Sequence, residues 1–268
     1  MSSNSSSARI LKLYDLVPRP GGASFSPGCI RARLALMAKG VPFEVVQVTY
    51  HDLRFVWKDR LGVEKATAPF IEREDGSFLM DSIRIAEWLD ETYPDRQNVF
   101  LPEASLPVDV NSSEYKKALE YYKGDFQQKA AVPGKLLFSL YAPRLVPHFD
   151  GETREYWTSD ARLGPGVWKT LSSATPETDA QTIKKLHEHL GRLSDEVFRE
   201  GRLFIASPTK PGMLDFHWLG GYRLVRSMSA SLAREIFEAP ESAGFKAWLE
   251  RMYAAYPMPE VWERDAEE

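Results

Sequence analysis

Ser24-Phe25-Ser26-Pro27-Gly28-Cys29-Ile30-Arg31 is the stretch on which the reading of this chain turns. It follows Ile10-Leu11-Lys12-Leu13-Tyr14-Asp15-Leu16, an apolar run of strand character. It opens a segment, Gly28 to Lys39, with Ile30, Leu34 and Ala38 on one helical face and Gly40 as a stop. Pro27 suits the first helical turn, where no backbone donor is needed. The start of a helix presents unpaired N–H groups and a partial positive charge, which favour an anion such as a thiolate. A strand, a loop and a helix beginning Ser-Pro is therefore an arrangement fit for thiol chemistry. It is also a common way to begin any helix, and these eight residues alone leave both readings open.

With Cys in place of Ser26 the text would read Cys-Pro-Gly-Cys, the redox motif of thioredoxin-like proteins. A hydroxyl cannot form a mixed disulfide, but it can donate a hydrogen bond to a thiolate brought from outside. Glutathione is the natural candidate. A free thiol has a pKa near ~8.5, and lowering it by about two units takes roughly 2.7 kcal/mol. A hydrogen bond to a charged group supplies about 1.5–3 kcal/mol, and a helix end about 0.3–1. One serine and one helix suffice, without a metal.

Phe43 to Val48 is a second strand, which completes a βαβ unit with parallel pairing and a right-handed crossover. Tyr50 to Gly62 reads as one helix with Leu53 and Trp57 inward. Thr67 to Met80 holds two short strands turning at Asp75-Gly76. Pro69 stands at the mouth of the first, where a missing donor is tolerated. In thioredoxin-like folds such a proline is cis and faces the thiol site. The backbone of Ala68 would then be turned toward the Ser26 loop, able to pair with an extended peptide. Asp81-Ser82 precedes a helix, Ile83 to Tyr93, with Ile85, Ala86 and Leu89 inward. Ser82 has two readings: an N-cap, or a hydroxyl that joins the helix end in holding a carboxylate.

Ser26-Pro27, Thr67-Ala68-Pro69 and Asp81-Ser82, in that order, resemble the N-terminal domain of the glutathione transferase family. Arg31 to Glu44 and Ile85 to Pro94 extend the likeness. Leu13-Tyr14-Asp15-Leu16 and Leu79 to Glu87 are similar to the bacterial lignin β-etherases and the fungal-specific etherase-related class. The resemblance implies an α/β thioredoxin-like N-terminal domain followed by an all-α domain. It implies that Ser26 holds the glutathione thiolate, with Ser24 as a second hydroxyl nearby. Ala68, before Pro69, would pair with the cysteinyl backbone, Asp81 would bind the γ-glutamyl amine and Ser82 its carboxylate. Thr67 stands where the family often has a longer Gln. Cys29 falls where redox relatives keep a resolving cysteine; with nothing to resolve, it is expected as a small core residue. Family precedent also implies a homodimer.

The 268 residues divide, on this reading, into a tail at 1–9, the glutathione-binding domain at 10–94, a linker at 95–112 and a helical domain at 113–268. Asn111 and Glu114 suggest a capping box, and Pro133-Gly134 a break or kink in the helix that follows. Further helices are expected at 151–162, from Thr175-Pro176-Glu177 to Gly201, and at 241–256. Asp215 matches a family capping element at a helix start, while Gly212 replaces its hydroxyl, so part of that cap is expected to be missing. Tyr122 and Phe126, with Phe25, are the expected walls of an acceptor pocket.

A net charge of −4 with no basic run argues against nucleic acid or an anionic membrane surface as partner. The single cysteine, and a start lacking a basic cluster before an apolar core, point to a cytoplasmic protein. His187 and His189, two apart on a helix, make a poor metal pair, and no metal is expected. The expected function is transfer of glutathione to hydrophobic or aromatic electrophiles, with a β-etherase variant displacing a phenolate. The alternative is a ligandin that binds aromatic molecules without turning them over.

Overall fold

The computed structural model describes residues 10–198 and 201–257, so the tail expected at 1–9 lies outside the described residues. Four strands form one sheet in the order β2-β1-β3-β4. Strand β1 (Leu11–Leu16) lies parallel to β2 (Phe43–Val48), from Leu11 opposite Phe43 to Leu16 opposite Val48. Helix α1 (Pro27–Ala38) makes the crossover. Strand β3 (Phe70–Glu72) is antiparallel to β1, with Leu13 opposite Ile71, and pairs in turn with β4 (Phe78–Met80). The hairpin closes where expected: Gly76 takes φ +83°, and the Asp75 carboxylate accepts from the Ser77 N–H at 2.9 Å.

Helix α1 departs from the one-faced pattern read in the sequence. Cys29, Ile30, Ala32, Arg33, Leu34, Ala35 and Leu36 are all buried, because α1 is covered on several sides. It packs on the sheet, on α4 (Ser82–Thr92) and, most extensively, along α11 (Met213–Arg226). The α1–α11 approach is close: a Cβ on Gly220 would stand 2.9 Å from the Pro27 carbonyl oxygen. The second domain is thus built directly against the helix whose first turn carries Ser26.

The helix expected at 50–62 contains a widened turn. Helices α2 (Tyr50–Asp52) and α3 (Lys58–Leu61) are joined by a π turn at Leu53–Trp57. A second π turn, Tyr122–Phe126, joins α5 (Ser113–Tyr121) to α6 (Gln127–Leu145). Two expectations are corrected here. The cap is Ser112, whose Oγ accepts from the Tyr115 N–H at 3.2 Å, while Asn111 sits in the preceding turn, bonded to Asp109. Helix α6 also runs through Pro133 and Pro143. Its packing against α10 (Pro176–Phe198) and α11 holds its course, and the irregularity falls upstream, in the π turn.

Helices α7 (Gly151–Thr158) and α8 (Asp160–Leu163) replace the single helix expected at 151–162, because Ser159 is extended at ψ 146°. They are followed by α9 (Val167–Ser172), and later by α12 (Ala230–Phe237) and α13 (Ala243–Ala255). The start of α11 is fully bonded on the Asp215 side. The buried Asp215 carboxylate accepts from the N–H groups of Ile205 at 2.7 Å, Ala206 at 2.9 Å and Gly212 at 3.0 Å, and from Trp248 Nε1 at 2.8 Å. Gly212 is required by packing, since a Cβ there would meet the Val99 carbonyl oxygen at 2.8 Å.

Candidate active site

Ser26 is the N-cap of α1, with extended backbone (φ −71°, ψ 119°). Its Oγ accepts a long bond from the Cys29 N–H at 3.4 Å, and its own O–H remains a donor. A Cβ built on Gly28 would stand 3.1 Å from Pro69 Cδ, 3.7 Å from Ser26 Oγ and 3.7 Å from Arg31 Nη2. The absence of a side chain at residue 28 therefore lets the start of α1 pack against Pro69, with Ser26 Oγ and the Arg31 guanidinium around the same point. The Ala68–Pro69 peptide bond is cis, as expected; Ala68 is half-buried and Thr67 exposed.

Ser82 is not the cap of α4. That place belongs to Asp81, whose Oδ1 accepts from the N–H groups of Ile83 at 2.7 Å and Arg84 at 3.2 Å. Asp81 holds φ +80°, a left-handed conformation that costs a residue other than glycine on the order of 1–3 kcal/mol. Its N–H donates to the Pro69 carbonyl at 3.2 Å, which ties the two motifs together. Ser82, one residue into the helix, is buried, and its Oγ accepts from Arg31 Nε at 3.3 Å and Nη2 at 3.2 Å.

Arg31, which bonds Ser82 and stands beside Gly28, is a candidate that the sequence reading did not single out. A signal was present: Arg31 lies three residues beyond Gly28 on α1 and so shares its face. Arg31 also stands near the second domain. Burial first, and then the Arg31 charge, push His217 down to about 3, so its imidazole is neutral near pH 7. His217 Nδ1 lies 3.4 Å from the Tyr122 hydroxyl.

Ser24 is engaged elsewhere. Arg33 Nη2 donates to its Oγ at 3.1 Å and also pairs with the Asp15 carboxylate, and all three residues are buried. This buried ion pair anchors the loop from behind. Cys29 is fully buried beneath it. Burial and then the Asp15 charge push its thiol well above the usual range, so it is held as the neutral thiol.

The three expected acceptor residues do not share a pocket. Phe25 is buried in an aromatic cluster, edge-on to Phe149 at 6.1 Å and tilted against Tyr50 at 6.5 Å, with Trp157 behind them. Tyr122 and Phe126 stack at 5.4 Å on the π turn. They line a cavity of about 710 Å³ between α5, α6, α10 and α11, which none of Ser24, Phe25, Ser26, Thr67 or Pro69 borders. The long side chains of α7 and α2 close the Phe25 cluster, and helical periodicity does not reveal which aromatic rings meet there.

His187 Nε2 meets the Glu235 carbonyl at 2.8 Å, and His189 Nδ1 meets Arg192 at 3.0 Å. Among the described residues no helix is long and apolar enough to cross a membrane.

Residues 22–97 match the family model of the glutathione S-transferase N-terminal domain. Solved structures resemble this chain over 94% of its length. One is the glutathione S-transferase CsGST63524 of Ceriporiopsis subvermispora in complex with glutathione, at TM-score 0.72 and 19% identity, covering 94% of this chain and 100% of that one. A second transferase of that organism, CsGST83044, also solved with glutathione, matches at TM-score 0.69 and 19% identity over 94% and 100% of the two chains. The glutathione transferase GSTFuA3 of Phanerochaete chrysosporium matches at 0.70 and 20% identity over 94% and 99%. The chain therefore has the glutathione transferase fold, a thioredoxin-like sheet domain with a helical domain packed on its first helix, and the sequence signature of that family's N-terminal domain spans residues 22–97.

Proposed function

We propose that the protein is a cytoplasmic, homodimeric glutathione transferase in which Ser26 donates a hydrogen bond to the glutathione thiolate. The observation that carries this reading is the convergence of Ser26 Oγ, the cis Ala68–Pro69 bond and the Arg31–Ser82 pair around Gly28. The main chain of Ala68 pairs with the cysteinyl residue, and Thr67 flanks it. Asp81, through the carboxylate oxygen not used in capping, takes the γ-glutamyl amine. Ser82 and Arg31 together hold the γ-glutamyl carboxylate, since a guanidinium beside a hydroxyl suits a planar anion. Ser24 positions the loop through Arg33.

The thiol proton passes to solvent water as glutathione binds. The thiolate then attacks an electrophilic carbon of a hydrophobic or aromatic acceptor, an S–C bond forms, and the leaving group departs with its electron pair. In the β-etherase variant the leaving group is a phenolate. No residue of this chain changes oxidation state.

Removal of the Ser26 hydroxyl takes away a charged hydrogen bond of about 1.5–3 kcal/mol, so Ser26→Ala should lower kcat/KM roughly 10- to 150-fold. It should also raise the pKa of bound glutathione by about one to two units, followed by thiolate absorbance in the binary complex. Ser24→Ala should preserve that pKa. A bound-thiol pKa unchanged by Ser26→Ala would remove Ser26 from the role. Tight glutathione binding with no turnover of any aromatic electrophile would leave the ligandin reading instead.

A further inference from the structure

Rings from both domains meet over the loop that carries Ser26. Tyr50 opens α2, and its ring stands edge-on to Phe149 at 5.6 Å and to Trp157 at 6.0 Å, both in the second domain. Phe25, the chain neighbour of Ser26, lies in the same cluster. Phe25 is 3% exposed, Trp157 4% and Ser26 8%. An apolar reactant that approaches Ser26 past Phe25 therefore needs these rings to part. The second-domain wall is pinned: the Arg162 guanidinium of α8 sits 3.5 Å from the centre of the Trp157 ring. The α2 wall is lightly held. It continues into the π turn, where Phe55 is 48% exposed and Val56 38%, so little packing opposes its movement. Outside the ring cluster, one carboxylate joins α2 and the π turn to α7. Arg54 Nη1 donates to Glu152 Oε1 at 3.3 Å, and His51 Nδ1 lies 3.3 Å from Glu152 Oε2. The Arg54 guanidinium also covers the Tyr156 ring at 4.8 Å, one turn further along α7. Glu152 is half exposed, so each of its contacts is worth a few-fold in an equilibrium at most. A clasp of that strength favours the closed arrangement and still opens readily.

We propose that Glu152 closes a gate between α2 and α7, and by doing so sets the size of acceptor that reaches the thiolate. The inference rests on the transfer reaction proposed for Ser26. A single-ring electrophile needs little separation of the walls, whereas a fused polycycle needs the clasp to open. Glu152 touches no reactant in this scheme; it is a positioning residue that acts through Arg54 and His51.

The test uses the full chain with glutathione and two acceptors, 1-chloro-2,4-dinitrobenzene and 9-(chloromethyl)anthracene. E152R should raise kcat/KM for the anthracene about three- to tenfold relative to that for the dinitrobenzene. The reversed pair R54E/E152R should return that ratio to within about twofold of the parent, which a purely structural role for residue 152 would not do. Raising NaCl from about 0.05 to about 0.5 M should screen the clasp, and so raise the ratio in the parent but not in E152R. In amide exchange, peptides over 50–57 and 151–158 should exchange faster in E152R, while those over 82–92 stay unchanged. An E152R ratio within about twofold of the parent overturns the proposal. So does a ratio that R54E/E152R fails to restore, or unchanged exchange over 50–57. Those results leave the Ser26 reading standing, because the dinitrobenzene rate and the bound-thiol pKa report on it separately. A parent that turns over neither acceptor would refute that reading, and this inference with it.

Discussion

Replacing Asp215 with Ala should remove much of the protein's stability, and the structure allows the loss to be worked out. The carboxylate is inaccessible to solvent and accepts four hydrogen bonds, from Ile205, Ala206, Gly212 and Trp248, at 2.7–3.0 Å. An alanine leaves all four donors without an acceptor. Each fully buried orphan costs about 1–3 kcal/mol. Ile205 and Trp248 are buried, whereas Ala206 is half-buried, so water can repair part of the damage there. The cost of burying the carboxylate is itself relieved by the substitution. The net expectation is about 4 kcal/mol, a large share of a typical total of about 5–15. For a chain of this size that corresponds to a melting temperature lower by about 10 °C. Asp215→Asn should fall between, because its amide oxygen still accepts while its NH2 faces the remaining donors. Equilibrium urea unfolding, followed by circular dichroism and tryptophan fluorescence, measures both. A loss under ~1 kcal/mol for Asp215→Ala, or an Asn variant as weak as the Ala variant, would refute the hydrogen-bond argument.

The crossing of α1 and α11 makes a second point of sensitivity. Gly220→Ala would press a methyl group against Pro27 backbone atoms at 2.9 and 3.1 Å, so it should cost about 1–3 kcal/mol in unfolding and weaken glutathione uptake measured by calorimetry. Cys29, held as a buried neutral thiol, should resist a disulfide exchange reagent at pH 8 in the folded protein and react once in urea. His217 is neutral in the folded chain down to about 3, whereas an unfolded histidine takes its proton near ~6.5. Its folded pKa is depressed, so its contribution is complete above pH 6.5 and is lost as pH falls from there toward 3. Between pH 6.5 and 5 the parent should lose up to ~2 kcal/mol that His217→Phe retains. Parallel pH profiles for the two would show that the imidazole is not the group responsible.

The sequence alone was enough for the succession of strands and helices over residues 10–94, the Ser-Pro helix start and the Asp75-Gly76 hairpin. These rest on caps, turns and periodicity, signals that act over a few residues. The tertiary structure alone decided that Arg31 reaches Ser82, 51 residues away, and that Tyr122 meets His217, 95 residues away. It also decided that Phe25 sinks into an aromatic cluster while Tyr122 and Phe126 open onto a different cavity, and that Pro133 continues its helix. Local propensity is a matter of a few tenths of a kcal/mol to about one per residue, and packing between distant elements outweighs it. Which side chains face a common space is set by how whole helices lean on one another, as α11 does along α1.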